Sequence, residues 1–450
     1  MNSSPVTSTR PRRVLIVSPH FPPINAPDHQ RVRMSLSYFR EFGWEPEVLA
    51  VDEACSEGLR DPLLQETVPG DIPVHRCRAW PAGLTRRLGL GNIAYRAWFQ
   101  LAAVGDRLLA SGRFDLVYFS TTQFVATALG PRWQRKFHMP YIVDIQDPWR
   151  TDYYERPGAP RPPGGWKYRF ARWQAERLEP KAWSGAAGFI SVSDRYFEQL
   201  RERYDWFAAK PAAVVPFGAA ERDFALARSL PGLAPAFAPE PGRIHLASVG
   251  AIGPIMRPAL EQLFGALRTL RTDDPGLAAR LRFHFVGTSY AAAGRAEPSV
   301  APLAAQFGVA DLVHESPERV GYFASLKTML AADAIVIPGS DEPSYNPSKL
   351  ANCFLAERPT LALPLAGSAM EASLRQLAFA TIACFPAEPP NPAISDFLRR
   401  LADQTERGPA PARNLALFQS VHTARARTGQ QCDLFDRALA AASPRRTATP

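Results

Sequence analysis

The chain has 450 residues, too many for one ordinary core and suited to two domains of roughly 200 residues each. With 46% hydrophobic and 21% charged residues its composition is globular, and its 44 prolines are spread through loops, so global disorder is excluded. The excess of 52 Lys and Arg over 43 Asp and Glu, a formal charge of +9, favours anionic partners without choosing among phosphates, acidic lipid headgroups and nucleic acid.

Residues 1–12 are polar and read as a disordered tail. The apolar run that follows, 14–17, is stopped by Pro19, Pro22 and Pro23, so no signal-peptide core forms. No stretch approaches the roughly 20 apolar residues of a spanning helix. The five cysteines, Cys55, Cys77, Cys353, Cys384 and Cys432, are odd in number, far apart and without a C-x-x-C pair. That pattern points to a reducing compartment and away from a zinc site. A cytoplasmic protein is expected, at most peripheral at the inner face of a membrane.

Short β-branched runs then alternate with helical patterns, as a parallel sheet covered on both faces by helices requires, and the fold class is α/β. Within 13–230, strands are expected at 14–17, 47–51, 116–119, 141–145, 188–192 and 213–215, with helices over about 28–42, closed by Gly43, and about 123–137. The stretch 231–242 is rich in Pro, Ala and Gly without a period and reads as a linker. A second alternation over 243–390 places strands at 244–249, 283–286, 311–314, 334–337, 360–363 and 380–384. C-terminal helices over 391–442 and a disordered tail over 443–450 complete the chain. The plan is two doubly wound, Rossmann-like halves.

Several segments, in order, resemble the retaining GT-B glycosyltransferases of family 4, especially the branch that modifies bacterial polysaccharides. Val14-Leu15-Ile16-Val17-Ser18-Pro19-His20-Phe21-Pro22-Pro23, with Arg31 after it, resembles the family's first strand and loop. Tyr141 to Trp149 resembles its D-x-x-D-P-W segment, Val214-Val215-Pro216-Phe217-Gly218 the end of its first domain, and Val249-Gly250-Ala251-Ile252-Gly253 the start of its second. The ordered set Ala332 to Pro338, Pro347-Ser348-Lys349-Leu350 and Arg358-Pro359-Thr360-Leu361-Ala362 resembles the donor-binding block. The resemblance covers most of 13–384. It implies a GT-B architecture of two domains across a cleft, and a hexosyltransferase-like enzyme of polysaccharide biosynthesis. The donor would be a nucleotide-diphosphate sugar and the acceptor a hydroxyl of a glycan or lipid-linked molecule. Anomeric configuration would be retained, with the leaving phosphate itself taking the acceptor proton.

Such a transferase must hold a diphosphate and stabilise the charge that grows on it as the glycosidic bond breaks. Lys349, read as standing in the first turn of a helix beside unpaired N–H groups, suits that task, as do Ser348, Gly253 and Arg257 after the Gly250 loop. A solvated helix-start lysine and a surface arginine are the plain alternatives. Gly287 and His314 fall where the family seats the nucleotide base, although ordinary loop residues would look the same.

The family's paired glutamates align with Ser344 and Asn352, neither of them a carboxylate. Asn352 can still hydrogen-bond a ribose, and Asp341 or Glu342 can reach the donor sugar from the preceding loop. On the acceptor side, Asp144 and Asp147 flank the end of a strand, where open α/β sheets bind ligands. Asp147 can accept a hydroxyl proton or serve as an Asp-Pro turn residue. His20 reads more simply as a loop cap.

No D-x-D, H-E-x-x-H or C-x-x-C pattern implies a metal, and no cofactor is expected, because the sugar nucleotide is a substrate. Two stretches, 84–99 and 166–173, interleave aromatic and basic residues, which suits either an anionic membrane surface or a packed helix with solvated arginines. No nucleic-acid module is recognisable. Two other readings stay open: a catalytically reduced GT-B partner subunit that binds a nucleotide or glycan, and a sugar-nucleotide epimerase on the same fold. A dehydrogenase is disfavoured, because no strand is followed by G-x-G-x-x-G.

Overall fold

The run Val14-Leu15-Ile16-Val17 explains the architecture of the first half. Val14 and Ile16 lie in one apolar layer with Val48, Leu116 and Tyr118, whereas Leu15 and Val17 lie in another with Leu49, Val117, Phe119 and Val143. A strand without a polar face needs cover on both sides, and burial of each large apolar side chain stabilises the fold by about 1.5–3 kcal/mol. The computed structural model describes residues 10–85, 91–151, 165–289, 294–403 and 413–442, apart from the side chains of 84, 166 and 167.

Two compact units emerge, one built from the described residues up to Phe217 and again from Ala424, the other from Gly218–Thr423. In the first unit, β1 (Arg12–Val17), β2 (Trp44–Val51), β3 (Val74–Cys77), β4 (Leu116–Ser120), β5 (Tyr141–Ile145), β6 (Gly188–Ser191) and β7 (Ala212–Val214) form one parallel sheet. Its order is β3-β2-β1-β4-β5-β6-β7. The chain winds one way from β1 and the other way from β4, so the topological switch lies between those neighbours.

In the second unit, β8 (Ile244–Val249), β9 (Leu281–Val286), β10 (Val313–Ser316), β11 (Ala334–Pro338), β12 (Thr360–Leu363) and β13 (Thr381–Ile382) pair in the order β10-β9-β8-β11-β12-β13. Here the switch lies between β8 and β11. Among the described residues no helix is long and apolar enough to cross a membrane.

The elements differ from the sequence reading at a few points. The expected helix over 28–42 is a short α-helix, Gln30–Ser35, between 3-10 turns at Pro27–His29 and Phe39–Phe42, although Gly43 does close it at φ 78°. The expected helix over 123–137 likewise begins as a 3-10 turn, Phe124–Ala128, and becomes α-helical only over Leu129–Phe137. The strand read at 311–314 starts two residues later, because Ala310–Leu312 is a 3-10 turn. β3 escapes the hydrophobic pattern altogether: only Cys77 of its four residues is buried, as befits a sheet edge.

The division between units also falls elsewhere than at 231–242. The helix Glu221–Ser229 buries Phe224 and Ala227 within the second unit, where the Tyr322 hydroxyl donates to Asp223 at 2.9 Å. Phe237, from the Pro-rich stretch, stacks on His284 at 4.2 Å. That stretch is therefore part of the second core. Of the C-terminal helices, Pro392–Ala402 stays in the second unit, but Ala424–Ala442 completes the first. Phe435 packs on Phe39, Trp44 and Tyr118 at ring distances of 6.1, 5.3 and 4.9 Å. Gln431 seals the contact by accepting from the Tyr118 hydroxyl and donating to Ser35.

Candidate active site

In open α/β sheets ligands bind outside the carboxyl ends of the strands at the switch point. In the first unit that place is crowded with paired charge. Asp144, fully buried at the end of β5, accepts through Oδ2 from Arg31 Nε at 2.8 Å, Ser120 Oγ at 2.7 Å and Gln146 Nε2 at 2.8 Å. Arg31 also donates to the Val215 carbonyl at 2.6 Å and lies 4.9 Å from the Phe217 ring centre. The pair is an internal brace. Asp144, expected to be catalytic, and Arg31, expected on the acceptor side, are thus both buried and bonded to each other, while Arg31 Nη1 and Asp144 Oδ1 have no hydrogen-bond partner among the described residues. Arg427, from the last helix, sits near enough that burial and the Arg31 charge lower its pKa to about 10.

Beside this brace, His20 lies three residues past β1, with its Nδ1 3.2 and 3.3 Å from the two carboxylate oxygens of Asp28. Asp28 is buried in the 3-10 turn before the first helix, and its Oδ2 also accepts from Thr121 Oγ1 at 2.9 Å, just past β4. Burial alone would lower the His20 pKa, but the hydrogen bond and charge of Asp28 outweigh it and raise it above the ordinary value. The pKa of Asp147 is raised, chiefly because neighbouring groups displace water from its carboxyl and secondarily by the charge of Asp28.

In the second unit the strand ends at the switch are loops of glycine and backbone. After β8 the chain turns at Gly250, whose φ of 111° lies in the left-handed region that favours glycine. Gly250 and Ile252 donate to the carbonyls of Val286 and Thr288 at 2.8 and 2.9 Å, which ties this loop to the end of β9. After β11, Gly339 runs so close to β12 that a Cβ there would stand 2.5 Å from the Leu363 carbonyl oxygen. Asp341 N–H then donates to the Ile255 carbonyl at 2.9 Å. The same loop returns Lys349 to the turn after β8, with Cδ 4.0 Å from where a Cβ would stand on Gly250. Burial lowers the Lys349 pKa, the nearby Cys353 thiol pulling the other way. Burial also pushes that thiol up to about 12, so it stays protonated. Among the described residues no carboxylate pairs with Lys349.

Residues 29–218 match the model of the glycosyl transferase 4-like domain. No curated protein matches the sequence. Solved structures that the chain resembles include HepE of Anabaena in complex with UDP, 17% identical over 94% of this chain and 100% of that one, TM-score 0.53. Sucrose-phosphate synthase from Thermosynechococcus elongatus is 15% identical over 96% and 100%, TM-score 0.56. The α,α-trehalose 6-phosphate synthase of Burkholderia multivorans is 13% identical over 98% and 99%, TM-score 0.55. At such identities the likeness is one of fold, and the fold is that of the GT-B glycosyltransferases.

On this GT-B fold the residues expected at the donor are distributed unevenly. Lys349 and the Gly250 turn meet, whereas Arg257 opens the helix Arg257–Asp273 and is engaged by Glu261 at 2.7 Å on the surface. Gly253 has open space where a Cβ would stand and a φ of −92°, so nothing at that position requires glycine. Lys349 directly precedes the helix Leu350–Ala356, only seven residues long, instead of standing in its first turn. Asn352 lies on that helix, part-exposed, while Ser348 is exposed before it. The Ser344 hydroxyl donates to Glu342 at 3.2 Å, so a carboxylate does stand in this loop, two residues before the expected place.

Gly287 turns at φ 72° and donates its N–H to Ser316. His314 does not stand free beside it. Its ring stacks on His284 at 5.4 Å, in a row that continues to His245 and Phe237. Within the row, Glu240 N–H donates to His245 Nε2 at 2.9 Å, which leaves His245 Nδ1–H to donate to His284 Nε2, also at 2.9 Å. Its neighbour Glu315 caps the helix Ala301–Gln306 by accepting from the N–H groups of Ser299, Val300 and Ala301 and from the Thr288 hydroxyl. Asp28, bonded to His20 and Thr121, is a residue that the sequence reading did not single out. Its only local signal is a Pro27-Asp28 turn eight positions after His20.

Proposed function

We propose that the protein is a glycosyltransferase that moves a sugar from a nucleotide-diphosphate donor to a hydroxyl of a glycan or lipid-linked acceptor. One observation carries the reading: an ammonium without a carboxylate partner among the described residues, Lys349, held against the glycine turn at the switch point of the second sheet. A cation that gives up water without gaining an acid raises the free energy of the empty site, and a phosphate dianion beside it offsets that cost. Glycine at 250 leaves no side chain between this turn and a diphosphate beside Lys349. The binding of UDP by the HepE structure supports a nucleotide ligand on this fold. The reading assigns charge neutralisation to Lys349 and not to a metal, and the acidic group nearest the donor sugar to Glu342. Resemblance to retaining enzymes supports retention.

The exposed rings of Phe99, Phe170 and Trp173, 61%, 47% and 48% accessible, support peripheral contact of the first unit with an anionic membrane carrying a lipid-linked acceptor. Arg177 lies over the Trp173 ring at 4.5 Å. Arg86 and Arg87, which contributed to the same expectation, lie outside the described residues, as do the side chains of Trp166 and Lys167. The replacement of both family glutamates by Ser344 and Asn352 favours a second reading, a GT-B partner subunit that binds without turnover.

A thermal-shift panel of UDP-, GDP-, ADP- and dTDP-sugars tests the donor site. One nucleotide is expected to raise the melting temperature, and Lys349→Ala to weaken its binding by about 1.5–3 kcal/mol, the range of a hydrogen bond to a charged group. Indifference of the wild-type chain to every nucleotide refutes the reading. Release of nucleoside diphosphate separates transferase from partner subunit.

A further inference from the structure

We propose that Arg427 and Arg31 form a binding site in the first unit for a small oxyanion, a carboxylate or phosphate group, distinct from the donor site proposed in the second unit. Every residue of the site belongs to the first unit.

The last helix supplies one half. Arg427 is the fourth residue of Ala424–Ala442, only 7% exposed, and its Nη1 donates to Gln430 Oε1 at 2.9 Å. Among the described residues the guanidinium makes no other hydrogen bond, no carboxylate pairs with it, and Nε is buried without a partner. The edge left over, Nε with Nη2, is the fork that takes two oxygens of a carboxylate or phosphate side by side.

The first helix supplies the other half. Gln431 stands one turn after Arg427 and Ser35 one turn after Arg31, and Gln431 Nε2 donates to Ser35 Oγ at 3.0 Å. The two arginines therefore meet one turn nearer the amino ends of these helices, close enough for the Arg31 charge to add to burial in lowering the Arg427 pKa to about 10. Arg31 commits Nε to Asp144 and Nη2 to the Val215 carbonyl, while its Nη1 is buried with no partner. The amino end of a 19-residue helix adds positive potential. A buried cation that faces a like charge and no acid raises the free energy of the fold, and an oxyanion between the two arginines offsets that cost.

The same cluster indicates what the anion carries. Two guanidinium groups against the one carboxylate of Asp144 leave a single positive charge, which a monoanion matches. Asp144 Oδ1 and Gln146 Oε1 are also buried without partners, and as acceptors they call for an O–H. A carboxylate beside a hydroxyl, as on a sugar acid, and a phosphate that keeps one proton both meet that description. With Arg31 3% and Arg427 7% exposed, the site takes the charged end of a molecule and not its body.

Hydrogen exchange on the full chain tests the site, with inorganic phosphate or glucuronate as probes and with glucose and sodium chloride at equal ionic strength as controls. At least one of the two anions should protect the amides of 424–431 and, at about five times its dissociation constant, raise the melting temperature by about 2–4 °C, whereas glucose and chloride do neither. Whichever anion acts alone identifies the oxyanion. Arg427→Met should fold at least as stably as wild type and lose the protection. Arg427→Lys, which keeps the charge without the fork, should bind about 10–100-fold more weakly. Lys349→Ala should respond as wild type does. Protection by neither anion, undiminished protection in both Arg427 variants, or a response lost in Lys349→Ala overturns the site. The donor reading is judged separately, by sugar nucleotides and Lys349→Ala.

Discussion

The two switch points of this molecule handle charge in opposite ways. At the first, two cations each have an acid: Arg31 has Asp144, and His20 has Asp28. At the second, Lys349 lies beside the Cys353 thiol and the Gly250 turn, and no carboxylate among the described residues pairs with it. Balanced pairs hold a site together and move protons between fixed partners. An unbalanced cation stabilises little by itself and waits for an anion. The contrast teaches that one scaffold used twice in a chain is specialised by the few side chains at its strand ends.

The largest effect expected from this contrast is on unfolding. Arg31→Met leaves Asp144 charged, buried and unpaired, and should cost about 3–5 kcal/mol in urea denaturation. Lys349→Met removes a cation that is desolvated without a partner and should leave the midpoint unchanged or higher. A stable Arg31→Met protein, or a badly destabilised Lys349→Met one, would erase the distinction.

Acid should sharpen it further. His29 in the first unit and His284 in the second both have pKa values lowered to about 4, chiefly by burial. The unfolded chain binds these protons near pH 6.5 and the folded chain does not, so the stability they contribute is complete above about 6.5 and drains away as pH falls towards 4. Each accounts for a loss on the order of 3 kcal/mol. In the first unit His20 acts with the opposite sign. Its raised pKa contributes stability that is present below about 6.5 and lost as pH rises through the folded value. Between pH 7 and 5 the second unit should therefore lose more hydrogen-exchange protection than the first. Equal losses would contradict the pairing described here. Replacing His284 with Phe, which keeps the stack on Phe237, should remove most of the second unit's loss.

The smallest effect concerns the donor loop itself. Gly250→Ala forces a side chain into the left-handed region and should cost about 1–3 kcal/mol, whereas Gly253→Ala, at an ordinary φ with open space around it, should fall within about 0.5 kcal/mol of wild type. Differential scanning calorimetry on the two variants decides the matter.

The fold was largely legible in the sequence because its signal is local. A fully apolar run such as Val14 to Val17 has no choice but a sheet covered on both faces, and Gly43 marks a helix end by its own backbone freedom. What stayed hidden is not local. Arg31 and Asp144 are 113 positions apart, and Thr121 and Asp28 are 93 apart, so their pairing is created by strand order and by nothing in the neighbouring residues. His314 could be read as a ligand or a loop residue, because the row of rings that claims it comes from three strands and the stretch before them. The position of Lys349 was readable for a different reason: it was expected at a helix start, and it directly precedes the helix Leu350–Ala356. The segment 231–242 looked like a linker because Pro and Ala carry no period, although Phe237 anchors it in the second core.

Phe435 also sets a timetable. The aromatic surface of Phe39, Trp44 and Tyr118 leaves the ribosome early, yet the ring that covers it arrives only after the whole second unit has been made. At about 5–20 residues per second that interval is on the order of tens of seconds. The half of the protein that is synthesised first is thus finished last, and through that interval its open aromatic face is a place where chaperones can bind and where neighbouring nascent chains can stick.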